Sequence, residues 1–411
     1  MSKGIIWLIN PYGNIPGEGW TEYRFSMIAR CLANEGFQVR WFVADFEHRS
    51  KEWRKANEMG FEVQPGYTIS IIKSSGYTKH ISLKRIFFER KFANNVLKSS
   101  IVNNEIPDLI IFGEPALFVA DIYKKIARQS RCSYIVDILD LWPEIFITIF
   151  PRFLIKFEKI LLSPLYIVRR WFFNSAIGFT AVAPDYLNIV GSNNENKKKE
   201  VIYIGISNSV EDGPYFDNTS LVPHKNSDEV WLVYAGTLGR SYDIESIMKL
   251  SLLIRDRGLV NVKIMVAGDG EMKIGLEEFL KSNSGINLFY LGKLNEDHLK
   301  RLYRLCDIAI SSYSKSSPVS MPLKVYDYFY YGLPIINSLD REVSRLVRDM
   351  EVGIQYEPGN VESMWCAFIS LYQSKELRIR LANNSKNLGK SFTFEIQYLK
   401  YVNFINNVQC K

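Results

Sequence analysis

The sequence predicts an α/β protein of two doubly wound domains, on three observations. Its 411 residues exceed what one ordinary hydrophobic core accommodates. Short apolar runs alternate with amphipathic stretches in both halves, as parallel strands covered on both faces require. A polar segment, residues 207–228, breaks that alternation near the middle and has the composition of a linker. The expected division is a first domain over 1–206, the linker over 207–228, a second domain over 229–391 and a final helix over 392–411.

Each element has its own warrant. Gly4–Asn10 is an apolar run and the first strand. Glu22–Glu35 carries Phe25, Ile28, Ala29 and Leu32 at helical spacing and stops at Gly36. Val39–Ala44 and Ile69–Lys73 are the next strands, Leu83–Ser100 a long basic helix, and Asp108–Phe112 and Ser133–Ile138 further strands. The second half repeats the theme with strands at Val230–Ala235, Val262–Ala267, Ile286–Leu291, Ile308–Ser311 and Pro334–Ile336. Phe392–Val408 returns to helical spacing, long enough to cross back and pack on the first domain.

Composition narrows the function. Hydrophobic residues are 47% and charged residues 23% of the chain, which excludes a disordered or fibrous protein. No uncharged apolar run reaches spanning length, and the N-terminus lacks a small-residue cleavage site, so a cytoplasmic location is expected. The five cysteines, Cys31, Cys132, Cys306, Cys366 and Cys410, form no C-x-x-C pair, so neither structural zinc nor a disulfide framework is expected. The net charge of +7 lies wholly in residues 1–205, where 27 Lys and Arg face 20 Asp and Glu. That asymmetry fits an anionic partner met by the first domain, a membrane surface or a phosphorylated acceptor, and equally fits drift of surface charge.

Ligands of open parallel sheets bind beyond the carboxyl ends of the strands, so the loops there are the candidates. After the first strand, Gly17 and Gly19 let backbone approach a ligand ahead of a helix. After Val230–Ala235 come Gly236, Thr237, Gly239 and the cation Arg240, suited to a diphosphate. Lys293 and Leu294 follow Ile286–Leu291 and present backbone to the edge of a base. The run Ser320-Met321-Pro322-Leu323-Lys324-Val325-Tyr326-Asp327 reads as a loop entering a helix. The N–H groups of Met321 and Leu323 point out of the helix start, and Lys324 and Asp327 fall on one side, a cation for phosphate and a carboxylate for ribose. The plain alternative is an i,i+3 surface pair worth ~0.3–0.5 kcal/mol.

The pattern S-x-P-x-K-x-x-[E/D]-Y…G-x-P at Ser320–Pro334 resembles the donor motif of family 4 glycosyltransferases. Asp137-Ile-Leu-Asp140-Leu-Trp142-Pro143-Glu144 resembles that family's D-L-W-P-E segment. Tyr23-Arg24 with Asp45–Lys51 resembles members active in bacterial surface polysaccharide assembly. The resemblance spans nearly the whole chain. It implies a GT-B fold: two Rossmann-like doubly wound domains facing a cleft. It implies transfer of a sugar from a nucleoside diphosphate sugar, a UDP-sugar foremost, to a lipid-linked saccharide with retention of configuration. By position, Lys324 and Arg240 would hold the diphosphate, Asp327 the ribose, Ser320 and the backbone of Met321 and Leu323 the phosphate oxygens, and Lys293 and Leu294 the base. Departures are the shorter Asp327 for the usual glutamate, Val319 for the first glutamate of the E-x7-E pair, and Gly236-Thr237-Leu238 with Tyr242-Asp243 for the common G-R-L…K-G pair.

No D-x-D triplet occurs in the chain, so neither a metal nor another cofactor is expected. Asp140 is a candidate to receive the acceptor's hydroxyl proton, or else a cap ahead of Pro143. His48 is a sugar contact or a solvated loop histidine, and Glu114 is a third catalytic candidate. Residues 150–173 interleave Arg152, Lys156, Lys159, Arg169 and Arg170 with aromatic and aliphatic residues. Arg152, Lys156 and Lys159 are expected on one helical face, to lie on an anionic membrane or rim a core helix. Expected partners are the nucleotide-sugar donor, a glycan or lipid-linked acceptor and the membrane surface, with no nucleic acid. Two rivals stand: a UDP-sugar epimerase of the same fold, which needs no acceptor side, and a non-catalytic nucleotide-sugar-binding subunit.

Overall fold

The computed structural model describes residues 3–19, 21–54, 60–79, 81–102, 105–207 and 222–409. Most of the expected linker over 207–228 lies outside the described residues. The chain divides into two compact units, residues 1–204 with 394–411, and residues 205–393.

The first unit holds an eight-stranded sheet. Its strands are β1 (Ile5–Ile9), β2 (Gln38–Ala44), β3 (Gly60–Gln64), β4 (Tyr67–Ile72), β5 (Leu109–Glu114), β6 (Ser133–Ile138), β7 (Gly178–Ala181) and β8 (Lys198–Val201). They lie in the order β3-β4-β2-β1-β5-β6-β7-β8. Only β3 runs antiparallel, at the edge. β3, β7 and β8 were not expected from the sequence; β3 and β8 are half-exposed and carry polar residues, so neither shows an apolar run. The strand order reverses at β1, between β2 and β5.

The last helix, Phe394–Gln409, belongs to this unit. Phe394, Tyr398, Tyr401, Val402, Ile405 and Val408 recur at helical spacing and join the core of Ile28, Leu32, Ile135 and Ile202. Burying each large side chain contributes about 1.5–3 kcal/mol. Beneath it Arg24 donates to Asp137 at 2.9 and 2.5 Å, Thr180 donates to the same carboxylate, and the guanidinium lies 5.4 Å from the Tyr401 ring. Two residues that carried the family resemblance, Arg24 and Asp137, are thus a buried ion pair that ties the first helix to β6.

The second unit holds a six-stranded, wholly parallel sheet: β9 (Val230–Ala235), β10 (Val262–Ala267), β11 (Leu288–Tyr290), β12 (Ile308–Ser311), β13 (Ile335–Asn337) and β14 (Gly353–Gln355). Their order is β11-β10-β9-β12-β13-β14. Numbered within the unit this is 3-2-1-4-5-6, the order of dinucleotide-binding sheets, and the reversal falls between β9 and β12.

Residues 150–173 do not form one helix. A 3-10 turn at Arg152–Phe157 gives way to a short helix Glu158–Leu161 and then to Ser163–Phe173, with Pro164 in its first turn. Proline lacks the N–H a continuing helix needs and its ring crowds the preceding turn, so the helix restarts there. The single basic face expected for Arg152, Lys156 and Lys159 is therefore not built.

Candidate nucleotide-sugar and acceptor sites

In the second unit the reversal point between β9 and β12 is where a ligand belongs. Three tyrosines meet there: Tyr234 from β9, Tyr242 from the loop after it, and Tyr313 just beyond β12. Lys324, in the first turn of the helix Leu323–Tyr330, reaches into that group. Its Nζ lies 3.9, 4.7 and 4.7 Å from the ring centroids of Tyr234, Tyr242 and Tyr313. Lys324 is 8% exposed, and its Nζ has no hydrogen-bond partner. Burial pushes its ammonium well below the ordinary lysine range. The ring faces offset only part of that desolvation.

The ammonium sits against Gly236. A Cβ at that position would lie 3.7 Å from Lys324 Nζ, and the backbone has φ +148. The neighbouring loops are locked together: Gly236 N–H donates to Ala267 O at 2.9 Å and Leu238 N–H to Asp269 O at 2.9 Å. A Cβ on Gly268 would fall 1.8 Å from Gly236 O, so glycine is required where the two loops cross. Pro322 precedes the Lys324 helix without any side-chain cap, so the first-turn N–H groups of Leu323 and Lys324 are left to other acceptors. Ser320 and Met321 are buried just before it, and Leu323 is exposed.

Other expected donor residues lie further off. Thr237 and Arg240 are exposed, and Arg240 pairs with Glu271 at 3.2 Å instead of turning to Lys324. Lys293 is exposed and Leu294 buried. Asp327 does not share a side with Lys324, which corrects the sequence reading. It lies by Tyr303, Tyr331, Glu296 and Lys300, and burial with the nearby Glu296 lifts its carboxyl to about 7. Residues three apart on a helix are offset by about 60°, and this helix is buried on most of its surface, so the two side chains meet different neighbours. Asp243 proves to be a helix cap: it accepts from Ser246 N–H at 3.1 Å.

In the first unit a second cluster lies beyond the carboxyl ends of β1, β2, β4, β5 and β6. Tyr12 follows β1, His48 follows β2, Tyr77 follows β4, Glu114 ends β5 and Asp140 follows β6. His48 Nδ1 bonds the Tyr77 hydroxyl, and the His48 ring packs edge-on to Tyr12 at 5.0 Å. Tyr12 donates to Glu89 at 2.5 Å and accepts from Arg85 Nε at 3.0 Å, and Arg85 also pairs with Glu89 at 3.1 Å. The Arg85 guanidinium covers the Trp142 ring at 4.6 Å. Asp140 is open to solvent in this setting. The crowding protein lifts its carboxyl to about 6, against the pull of Arg85. His48 and Asp140, far apart in sequence, thus belong to one network through Tyr77, Tyr12 and Arg85. None of those three was singled out from the sequence, although Tyr12 and Tyr77 follow strands and so occupy candidate positions.

Glu114 is 1% exposed. One carboxyl oxygen accepts from Ala116 N–H at 2.9 Å and the other has no partner. Burial lifts this carboxyl to about 8, against Arg169, which favours its protonated form near neutral pH. Gly17 and Gly19 have φ +87 and +75 with open space around them. Gly17 borders a cavity of about 520 Å³ walled also by Glu18, Glu47, Glu52 and Arg54, the last paired with Glu18, a net negative lining that disfavours a diphosphate. Among the described residues no group of three or more His, Cys, Asp or Glu is placed to hold a metal ion.

Residues 217–388 match the family described as Glycosyl transferases group 1. An uncharacterized glycosyltransferase of Methanocaldococcus jannaschii is 26% identical over 163 residues, 39% of this chain and 40% of that protein. The chain therefore spans less than half the length of the curated relative it matches. Among solved structures, sucrose-phosphate synthase of Thermosynechococcus elongatus superposes with a TM-score of 0.72 at 14% identity, covering 98% of each chain. HepE of Anabaena, solved in complex with UDP, superposes with a TM-score of 0.63 at 12% identity, over 99% of this chain and 100% of that one. The family match covers the unit that carries Lys324, and the architecture agrees end to end with the solved structures. Residues 217–388 thus carry the match to the group 1 glycosyltransferases, and the chain has the GT-B fold.

Proposed function

We propose that the protein transfers a sugar from a nucleoside diphosphate sugar, a UDP-sugar foremost, to a lipid-linked saccharide in bacterial surface polysaccharide synthesis. The carrying observation is Lys324: a buried ammonium without a hydrogen-bond partner, at the reversal point of a dinucleotide-type sheet and beside an uncapped helix start. A diphosphate supplies the charge and acceptors that the site lacks, with the first-turn N–H groups as further donors. Arg240 would trade its exposed pair with Glu271, worth little in water, for a phosphate oxygen. The Lys293–Leu294 backbone would take the base, with Ser320 and Met321 shaping the phosphate cradle. HepE, of like fold, was solved with UDP, which favours that nucleotide.

On the acceptor side Asp140 would receive the hydroxyl proton, with Arg85 positioning its carboxylate and His48 contacting sugar. Counter-charge from Lys324 and the helix start takes the place of a metal in this reading, and configuration is retained. The exposed Phe153, Phe157 and Ile160 beside exposed Lys156 and Lys159 suit peripheral attachment to an anionic inner leaflet. Among the described residues no helix is long and apolar enough to cross a membrane.

Calorimetry with UDP tests the donor site. A charge-assisted phosphate contact is worth ~1.5–3 kcal/mol, so Lys324→Met should weaken UDP by about ten- to 150-fold. Unchanged affinity in a folded variant refutes the assignment. Turnover should also survive EDTA nearly undiminished; an absolute Mg²⁺ or Mn²⁺ requirement after chelation would overturn the metal-independent part.

A further inference from the structure

A cavity of about 360 Å³ in the first unit takes no part in the chemistry described so far. Its walls come from the start of the helix Leu83–Val102 and from the run between Trp142 and Leu165, with Phe118 between them. Ile86, Phe146, Phe150, Leu162 and Leu165 give it a hydrocarbon surface. Arg85 and Glu89 also line it, but their polar ends are engaged with each other and with Tyr12. Walls of this kind hold water poorly and accept apolar groups.

Two further observations bear on what enters. The outer segment is unusually apolar for a surface: Leu83 is 82% exposed, Phe153 71%, Phe157 54% and Ile160 73%, and the helix Glu158–Leu161 buries nothing. Exposed apolar residues gathered in this way mark an interaction site. Lys84, Lys156 and Lys159 stand exposed among them, and the only carboxylate between residues 150 and 163 is the half-buried Glu158. The charge there is complementary to an anionic headgroup. At the inner end, Arg85 and Trp142 form both the cavity wall and the edge of the cluster that holds Asp140.

We propose that this cavity binds the aliphatic chain of the lipid-linked acceptor. The head of the lipid lies at Arg85, within reach of Asp140. The chain fills the cavity and leaves past Leu83 and Phe153, where the exposed lysines meet the anionic leaflet. This rests on the lipid-linked acceptor of the proposed function and adds to it a binding site and a length limit. With a CH₂ taken as about the volume of a water molecule, ~30 Å³, the cavity holds on the order of ten carbons.

The test is calorimetry of the wild-type protein with inorganic phosphate and n-alkyl monophosphates from butyl to hexadecyl, each below its micelle concentration. Affinity should rise about fourfold per added CH₂ and stop rising at on the order of ten carbons. Leu165→Trp, which fills the cavity, should weaken decyl phosphate at least about tenfold, with UDP affinity and circular dichroism unchanged. Affinity that climbs without a break through hexadecyl phosphate means adsorption on the outer surface and overturns the proposal. So does the absence of any alkyl phosphate binding, or a folded Leu165→Trp that binds decyl phosphate like the wild type. Sugar transfer to alkyl-linked and soluble saccharides is read separately. Indifference to the alkyl chain in that assay, alongside an intact length limit, removes the lipid-linked acceptor and leaves the aliphatic site standing.

Discussion

Lys324 and Arg85 lie beyond the carboxyl ends of two sheets of like order, yet the two cations are treated in opposite ways. Arg85 is saturated: Glu89, Tyr12 and the Trp142 ring occupy it. Lys324 has three ring faces and no hydrogen-bond acceptor. A self-paired network keeps its geometry whether or not a ligand is present. A buried cation without an anion is held in a state that a phosphate relieves. Arg85 is a cation already paired within its own cluster, and Lys324 is one left open to an anion.

Asp140 should show the strongest loss of activity. General-base catalysis contributes about 10²–10⁴-fold, so Asp140→Asn should lower kcat/KM by that order and leave UDP affinity alone. A base with a carboxyl near 6 works in its ionised form. The wild-type rate should therefore rise with pH through about 6, and the variant should lose that limb. A parallel fall in UDP affinity would mean that the two sites are not separable.

Proton uptake on donor binding reports on Lys324. Because its ammonium is depressed in the free protein, a diphosphate that restores the charge draws in a proton. UDP titrations in buffers of different ionisation enthalpy should show uptake that is reduced in Lys324→Met. Equal proton counts would show that UDP binding does not change the charge on this lysine.

Glu114 gives a smaller, purely structural contrast. Its carboxyl is raised from 4.5 to about 8. The stability it contributes is complete below the ordinary carboxylate value and is lost as pH rises through about 8. The melting temperature of Glu114→Gln should thus gain on the wild type between pH 5 and pH 9, by several degrees at the alkaline end. A difference that stays flat with pH would show that the carboxyl is not held neutral.

The smallest effect is on the outer surface of the first unit. Lys156→Glu with Lys159→Glu should reduce sedimentation with anionic vesicles, at up to ~1 kcal/mol per charge removed, while UDP binding stays unchanged. High salt should release part of the wild type and the apolar contact the rest. Wild-type protein that ignores anionic vesicles at low salt would remove the membrane from the proposal.

What could be read beforehand follows from where the information lies along the chain. Strands β9, β10 and β12 have the bounds their apolar runs predict. Half-exposed β3 and β8 could not be found, because a strand facing water on one edge carries no apolar run. Lys324 stood out through a local pattern, and the three tyrosines around it did not, because they arrive from β9, its loop and the end of β12. The pairing of Lys324 with Asp327 failed for the same reason: spacing says which residues are near on a helix, and the neighbours of a buried helix decide where each side chain goes.

The class of fold, the charge asymmetry between a basic first half and a neutral second half, and the loops to be searched for a site were legible in the sequence. Those depend on periodicity, composition and the rule that open sheets bind at strand ends, all legible one segment at a time. The charge states, by contrast, arise from packing. Which cation is saturated and which is not, why Glu114 is held neutral, and that His48 and Asp140 share a network through Arg85 depend on burial and on partners distant in sequence. Burial sets the cost of a charge, and it belongs to the packed molecule, not to any stretch of the chain.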